Sequence, residues 1–189
     1  PQPLPYDPAQ AKALLAEAGY PDGFDVTLHA TNNRYINDSQ VAQAVAQFLT
    51  RVGIRTKLDA MTSSIFFTRR AKREFSFAMG GWGSTSGGAA SFLRQYVTTD
   101  NDSLGIGASN YGAWSDPDFD KVLIQAIGTV DETKRAELLR QATQMAMDKL
   151  GFIPLHFESS LWAFRKGLHY EGRMDQYTLA QDITMAASD

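Results

Sequence analysis

Phe75-Ser76-Phe77-Ala78-Met79-Gly80-Gly81-Trp82-Gly83-Ser84-Thr85-Ser86-Gly87-Gly88 is a short apolar run that opens into a glycine-rich loop, and a helical pattern follows towards Tyr96. The order strand, loop, helix is that of an open α/β sheet, in which ligands sit beyond the carboxyl ends of the strands. Glycines let a backbone approach another molecule closely, the hydroxyls of Ser84, Thr85 and Ser86 offer neutral hydrogen-bonding groups, and Trp82 offers a flat apolar face. The plainer alternative is a surface turn whose tryptophan folds back into the core.

Working back from this stretch, the same alternation recurs. Asp7 and Pro8 have the order of a helix cap and first turn, and Gly19 with Pro21 marks the stop. Phe24 to Ala30 reads as a strand. From Ser39, the positions Val41, Ala44, Val45, Phe48, Leu49 and Val52 fall at helical spacing up to Gly53, and Ile54 to Leu58 reads as a second strand. A helix over Ser63 to Lys72 then leads into Phe75. This βαβαβ order implies a parallel sheet with right-handed crossovers. It brings three loops to one sheet edge, Thr31 to Tyr35, Ala60 to Ser64 and Gly80 to Ser91, and that edge is the expected ligand face.

Working forward, a loop rich in Asn, Ser and Gly runs from Thr98 to Gly112, and two helices start near Asp116 and Asp131. The second carries Leu138, Leu139, Ala142, Met145, Ala146 and Leu150 on one stripe, which predicts packing against the sheet. Two β-like runs follow, Phe152 to Phe157 and Leu161 to Arg165, and then a polar tail from Gly167 with little periodicity.

Composition narrows the function classes. A chain of 189 residues with 43% hydrophobic content supports one substantial core. A formal charge of -3 gives no electrostatic footprint for nucleic acid, and Arg69, Arg70, Lys72 and Arg73 are expected to form a solvated helix end. No apolar run reaches the roughly 18 residues of a membrane helix, so a soluble chain is expected. Cysteine is absent, which removes disulfides and thiolate metal sites. The opening Pro1-Gln2-Pro3-Leu4-Pro5 lacks an initiator methionine, which suggests an excised piece of something longer.

Catalytic and cofactor patterns fail one by one. Gly81-Trp82-Gly83 is followed by Ser86 where a dinucleotide fingerprint needs its third glycine. Gly83-Ser84-Thr85-Ser86-Gly87 mimics a nucleophile elbow with Thr85 in the nucleophile position, but no histidine is placed to activate it. His29, His156 and His169 have no ligand-spaced partners, so they are expected to be structural. Asp116-Pro117-Asp118-Phe119-Asp120 lacks the glycine and glutamate of a calcium loop and reads as a helix cap. No catalytic residue, metal or cofactor is expected.

Tyr6-Asp7-Pro8-Ala9-Gln10-Ala11-Lys12-Ala13-Leu14-Leu15-Ala16-Glu17-Ala18-Gly19-Tyr20-Pro21-Asp22-Gly23-Phe24 resembles the helix and turn that lead into the second lobe of one family. Its members are the extracellular solute-binding proteins that feed bacterial ABC transporters, in the peptide, nickel and oligosaccharide group called family 5. Ser109-Asn110-Tyr111 with Trp114 to Asp120, the helix from Asp131 to Arg140, and Ile153-Pro154-Leu155-His156-Phe157 are similar to further segments of that family.

The resemblance implies a parallel-sheet βαβ lobe of the periplasmic-binding-protein-like type II fold, with two later helices and terminal hinge strands. Residues 1–157 would form the second lobe of a two-lobed clamp and residues 158–189 a return segment towards an amino-terminal lobe. It implies a monomeric, non-catalytic importer component, periplasmic or extracellular, that captures a peptide or other small solute and docks on permease subunits through the outer helix faces, Arg69 to Arg73 included. Trp82 would stand on the cleft wall with Gly83, Ser84 and Thr85. Peptide-binding members commonly follow this tryptophan with an aspartate for the ligand's ammonium, and residues Gly83 to Gly88 contain no acid. A sugar face, a modified peptide or another polar molecule presenting apolar surface would suit the loop equally well. Asn32, Asn33 and Arg34 complete the expected site, Arg34 either facing a ligand carboxylate, bridging the lobes or lying in solvent. Tyr111 and Trp114 reach either the cleft or the core. A sensor domain built on the same fold, or a hydrolase acting through Thr85, are the alternatives.

Overall fold

Helix α1 (Pro8–Glu17) begins where Asp7 Oδ1 accepts the backbone N–H of Gln10 at 2.8 Å, with Pro8 at a position that has no helical N–H to lose. In the computed structural model, which describes residues 5–84 and 88–185, the chain then turns through Gly19 into strand β1 (Phe24–Thr31). Helix α2 (Asp38–Arg51) crosses over, and strand β2 (Ile54–Met61) returns parallel to β1, in register from Phe24 opposite Ile54 to Thr31 opposite Met61. Gly23 and Gly53, which precede the two strands, meet backbone to backbone. A Cβ on Gly23 would lie 1.8 Å from the Gly53 carbonyl oxygen, and its φ of +71° is itself one that favours glycine.

Helix α3 (Ser63–Ala71) leads to the third apolar run. This run lies along the free edge of β1, giving the spatial order β2, β1, 75–79, but it is joined by one parallel bridge in place of the expected full strand. His29 N donates to Phe77 O at 3.0 Å and Met79 N to His29 O at 2.8 Å. Its ends have other partners. Phe75 packs into a cluster with Met61 and Phe66 and stacks on the His29 ring at 4.2 Å, while Gly81 leaves towards Tyr35. His29 is structural as expected, its Nδ1 lying 3.2 Å from the Phe77 carbonyl.

A short helical segment follows, α4 (Ala90–Phe92) continuing into a wider π-turn over Leu93–Val97. Helices α5 (Pro117–Gly128) and α6 (Glu132–Asp148) start at Asp116 and Asp131, each accepting a backbone N–H into its side chain. The acid at Asp116 is thus a cap, and Lys149 binds its second oxygen. That lysine, followed by the capping N–H of Phe119, holds the Asp116 carboxyl below its ordinary range.

The apolar stripe of α6 does not cover the sheet. Ala142 and Ala146 pack with Phe119 and Leu123 of α5 and with Leu93 and Val97 of the π-turn, in a core that contains no strand residue. The sheet is covered by α2, through Ala42 and Val45 against Leu28 and Ala30. Leu150 lies outside the α6 contact, exposed beyond the helix end.

The runs Phe152 to Phe157 and Leu161 to Arg165, expected as β-like, form no strand. Strand character comes later, in the short antiparallel pair β3 (Leu168–His169) and β4 (Thr184–Met185), where Tyr170 is buried and donates to the Tyr177 carbonyl at 2.6 Å. No helix among the described residues is long and apolar enough to cross a membrane.

Candidate ligand-binding site

The carboxyl ends of β1, β2 and the 75–79 run deliver three loops to one edge, as the alternation requires. The first, Thr31 to Asp38, is organised by a buried acid. Asp38 Oδ2 accepts Thr31 Oγ1 at 2.7 Å, Arg34 N at 2.9 Å and Tyr35 N at 3.2 Å, and Oδ1 accepts Ser39 N at 2.9 Å. Burial works against ionisation of Asp38, but these four donors outweigh it and its carboxyl sits below the ordinary range. The chain reaches this geometry through Asn37, a non-glycine residue at φ 55°.

The second loop is tied to the first, since Asn33 Oδ1 accepts Ser63 N at 2.8 Å and Asn32 N donates to Met61 O at 2.9 Å. The third, from Gly80, passes over Tyr35 and presents Trp82. The indole is 40% exposed, its Nε1 donates to Ser91 Oγ at 3.1 Å, and it meets Tyr96 edge-on at 5.1 Å.

Between these loops and α3 lies an open pocket of about 300 Å³ lined by Arg34 and Tyr35, by Phe67 and Arg70 of α3, by Gly81, Trp82 and Gly83, and by Tyr96 of the π-turn. Two guanidinium groups face it and no carboxylate does. Arg34 lies 5.2 Å from the Tyr35 ring centroid. Arg70 donates to Tyr96 Oη at 2.5 Å, and its guanidinium carbon lies 4.8 Å from the Phe67 ring and 4.6 Å from that of Tyr111. Its Nε is buried without a hydrogen-bond partner, and no acid pairs with it among the described residues. Ring faces and a phenol oxygen stabilise this cation in place of a counter-ion. Burial raises the pKa of Tyr96, outweighing the opposing charge of Arg70, so the phenol is neutral at physiological pH. A second concavity, of about 440 Å³, lies by the β3–β4 pair between His169, Glu171 and Asp182. It is larger, but its arginine, Arg173, is already held by Asp175 and Asp182, and the three loops do not reach it.

The expected site residues do not all converge on this pocket. Arg34, Trp82 and Gly83 converge on the pocket; Asn32 and Asn33 lie beside it, with the Asn33 oxygen committed to Ser63; Ser84 follows Gly83 and Thr85 lies outside the described residues. Tyr111 stands behind Arg70 as a supporting ring. Trp114 belongs to the core, edge-on to Phe119 at 5.3 Å and flat enough against Gly151 that a Cβ there would come within 3.2 Å of it.

The expected solvated cluster at Arg69 to Arg73 is also corrected. Arg69 bridges Asp59 and Glu74, Arg73 pairs with Asp100, and Arg70 turns into the pocket. Tyr35, Phe67, Arg70 and Tyr96 were not expected in the site. The signal for Arg70 was its spacing, four residues after Phe66 and three after Phe67, on the apolar side of α3.

Residues 1–103 match the model of the bacterial extracellular solute-binding proteins, family 5 Middle. The chain is 30% identical over 160 residues to heme-binding protein A of Haemophilus influenzae, covering 82% of this chain and 28% of that protein. It is 31% identical over 172 residues to the glutathione-binding protein GsiB of Salmonella paratyphi A, covering 88% of this chain and 33% of that protein. Among solved structures, HbpA2 of Haemophilus parasuis shares the fold with a TM-score of 0.73 at 24% identity, over 96% of this chain and 38% of that one. The periplasmic binding protein DppA of Helicobacter pylori, in complex with the peptide STSA, aligns with a TM-score of 0.71 at 26% identity, over 82% of this chain and 29% of that one. The chain thus spans about a third of the length of the curated relatives it matches. With that family model matching residues 1–103, more than half of its length, the chain belongs to the bacterial extracellular solute-binding proteins of family 5.

Proposed function

We propose that this chain is the ligand-binding lobe of the substrate-binding component of an ABC importer, non-catalytic, capturing a small polar solute of the peptide-like class that carries an anionic group. Residues 1–157 form the lobe, and residues 158–189 return towards a second lobe that closes the cleft. The protein works as a monomer in the periplasm or outside the cell, and meets the membrane through the permease subunits it serves.

The carrying observation is the pocket itself, where Arg34 and Arg70 face a space walled by Tyr35, Phe67, Trp82 and Tyr96 with no acidic side chain in the lining. A planar guanidinium fork suits a carboxylate, and indole and phenol faces suit the apolar parts of the same ligand. A free ammonium group would find no carboxylate in this lining, which favours a ligand whose amine is blocked or lies elsewhere. Names of the relatives lend support, since they include a glutathione-binding protein and a protein solved with a peptide. Gly83 and Ser84, with Asn32 and Asn33, form the polar rim.

The test is calorimetric titration of the protein with glutathione, the tetrapeptide Ser-Thr-Ser-Ala, its N-acetylated form, heme and a neutral disaccharide. Binding of an anionic peptide-like compound, weakened about tenfold or more by Arg34→Ala and by Trp82→Ala, is expected. Binding of the disaccharide alone, or equal binding by both variants, overturns the reading.

A further inference from the structure

Two of the site loops meet at one side chain. The hydroxyl of Tyr35, in the loop after β1, accepts the backbone N–H of Gly81 at 3.0 Å and donates to the Gly81 carbonyl at 3.4 Å. The ring lies against the same residue, for a Cβ on Gly81 would stand 2.8 Å from Cε1 and 3.1 Å from Cζ of Tyr35. Real Cβ atoms do not come so close, so the ring and a side chain on Gly81 exclude one another. Gly81 is not among the glycines with positive φ, so its backbone conformation does not call for glycine; the tyrosine ring does. On its other contacts Tyr35 is itself fixed, with its backbone N–H bound to the buried Asp38 at 3.2 Å and the Arg34 guanidinium resting 5.2 Å from its ring centroid.

From these contacts we infer that Tyr35 and Gly81 form a clasp that makes the Arg34 loop and the Trp82 loop one unit, with Tyr35 as the positioning residue for the indole. Trp82 follows Gly81 directly and is held on its far side by Ser91. With the clasp closed, the indole is fixed from its backbone side as well; with it open, only the Ser91 bond and the edge contact with Tyr96 remain. The inference goes beyond the ligand class and rests on the reading of these loops as a ligand site.

The test uses the protein labelled with 5-fluorotryptophan, in which the Trp82 fluorine resonance is assigned by its loss in Trp82→Phe. Tyr35→Ala and Gly81→Ala are each expected to shift or broaden that resonance while the Trp114 and Trp162 resonances stay in place. In the double variant Gly81→Ala adds nothing, because removal of the ring makes room for the new methyl. An unmoved Trp82 resonance in both single variants, or effects that simply add in the double, overturns the clasp. Tyr35→Phe, which adds no volume and keeps the ring, decides the matter if Gly81→Ala does not fold: an unchanged Trp82 resonance there overturns the inference.

The same samples are titrated with glutathione and with Ser-Thr-Ser-Ala. Affinity about tenfold weaker in Tyr35→Phe than in the unmodified chain is expected, and equal affinity overturns the positioning role. If neither compound binds the unmodified chain while the coupling between positions 35 and 81 is present, the clasp stands and the proposed ligand class fails.

Discussion

Asp38 shows how one residue sets the site without touching its pocket. Four hydrogen bonds converge on a carboxylate that is 4% exposed, and two of them fix the backbone of Arg34 and Tyr35. Asp38→Asn keeps the shape but replaces an acceptor-only group with one that also donates, against neighbours that are all donors. A loss of about 1–3 kcal/mol in chemical unfolding at neutral pH is expected. The pH dependence follows from the lowered carboxyl pKa. The unfolded chain binds the proton first, at about pH 3.9, so the stability from Asp38 is present above that value and is lost as pH falls through the lower folded pKa. The gap in melting temperature between wild type and Asp38→Asn should therefore be widest above about pH 4 and close as the solution is acidified further. In the sequence, only a helix from Ser39 is legible here; the role of Asp38 as the post of a loop depends on Thr31 and Tyr35 folding around it.

Among the elements, helix starts and stops and the parallel β1–β2 pairing were legible, and the partner of α6 was not. The caps at Asp7, Asp116 and Asp131, and the left-handed glycines Gly19 and Gly53, act within a few residues and stand where the residue types place them. Gly23→Ala tests the crossover geometry. Its φ of +71° and the Gly53 carbonyl 1.8 Å from the new methyl predict a loss of about 2–4 kcal/mol, measured by urea unfolding. At the far helix pair, Asp116→Ala removes both a cap and the Lys149 partner and is expected to lower the midpoint of urea unfolding. Lys149→Met, which leaves the cap, should lower that midpoint less than Asp116→Ala does. The misplacement of the α6 stripe has a simple cause. An apolar face announces that a helix packs, but any complementary face satisfies it, and here α5 and the π-turn offer Leu93, Val97, Phe119 and Leu123.

At the scale of the whole molecule, the extended segment after α6 carries Ile153, Leu155, Phe157 and Leu161 outward, with Phe157 and Leu161 more than nine-tenths exposed. Since these two side chains have almost nothing to lose in this chain, Phe157→Ser with Leu161→Ser should change the unfolding free energy by no more than about 0.5 kcal/mol, leave the melting temperature nearly unmoved and raise solubility, measured by scanning calorimetry and light scattering. A clear drop in melting temperature would show that the segment folds back on the lobe. The sequence by itself determined the helices, the parallel crossover and the loop edge, because capping, glycine geometry and apolar periodicity are local and act over a few residues, and its quoted segments carried the resemblance to the family. Only the tertiary structure decided which side chains share the pocket. Tyr35 meets Gly81 across 46 positions and Arg70 meets Tyr96 across 26, and contacts over such distances depend on how far a third strand follows its neighbour, which face of α3 turns inward and where a helix widens by one residue. The same arrangement turned Arg70 from an expected solvated charge into a half-buried cation, since the rings that hold it are gathered from three separate elements by the fold alone.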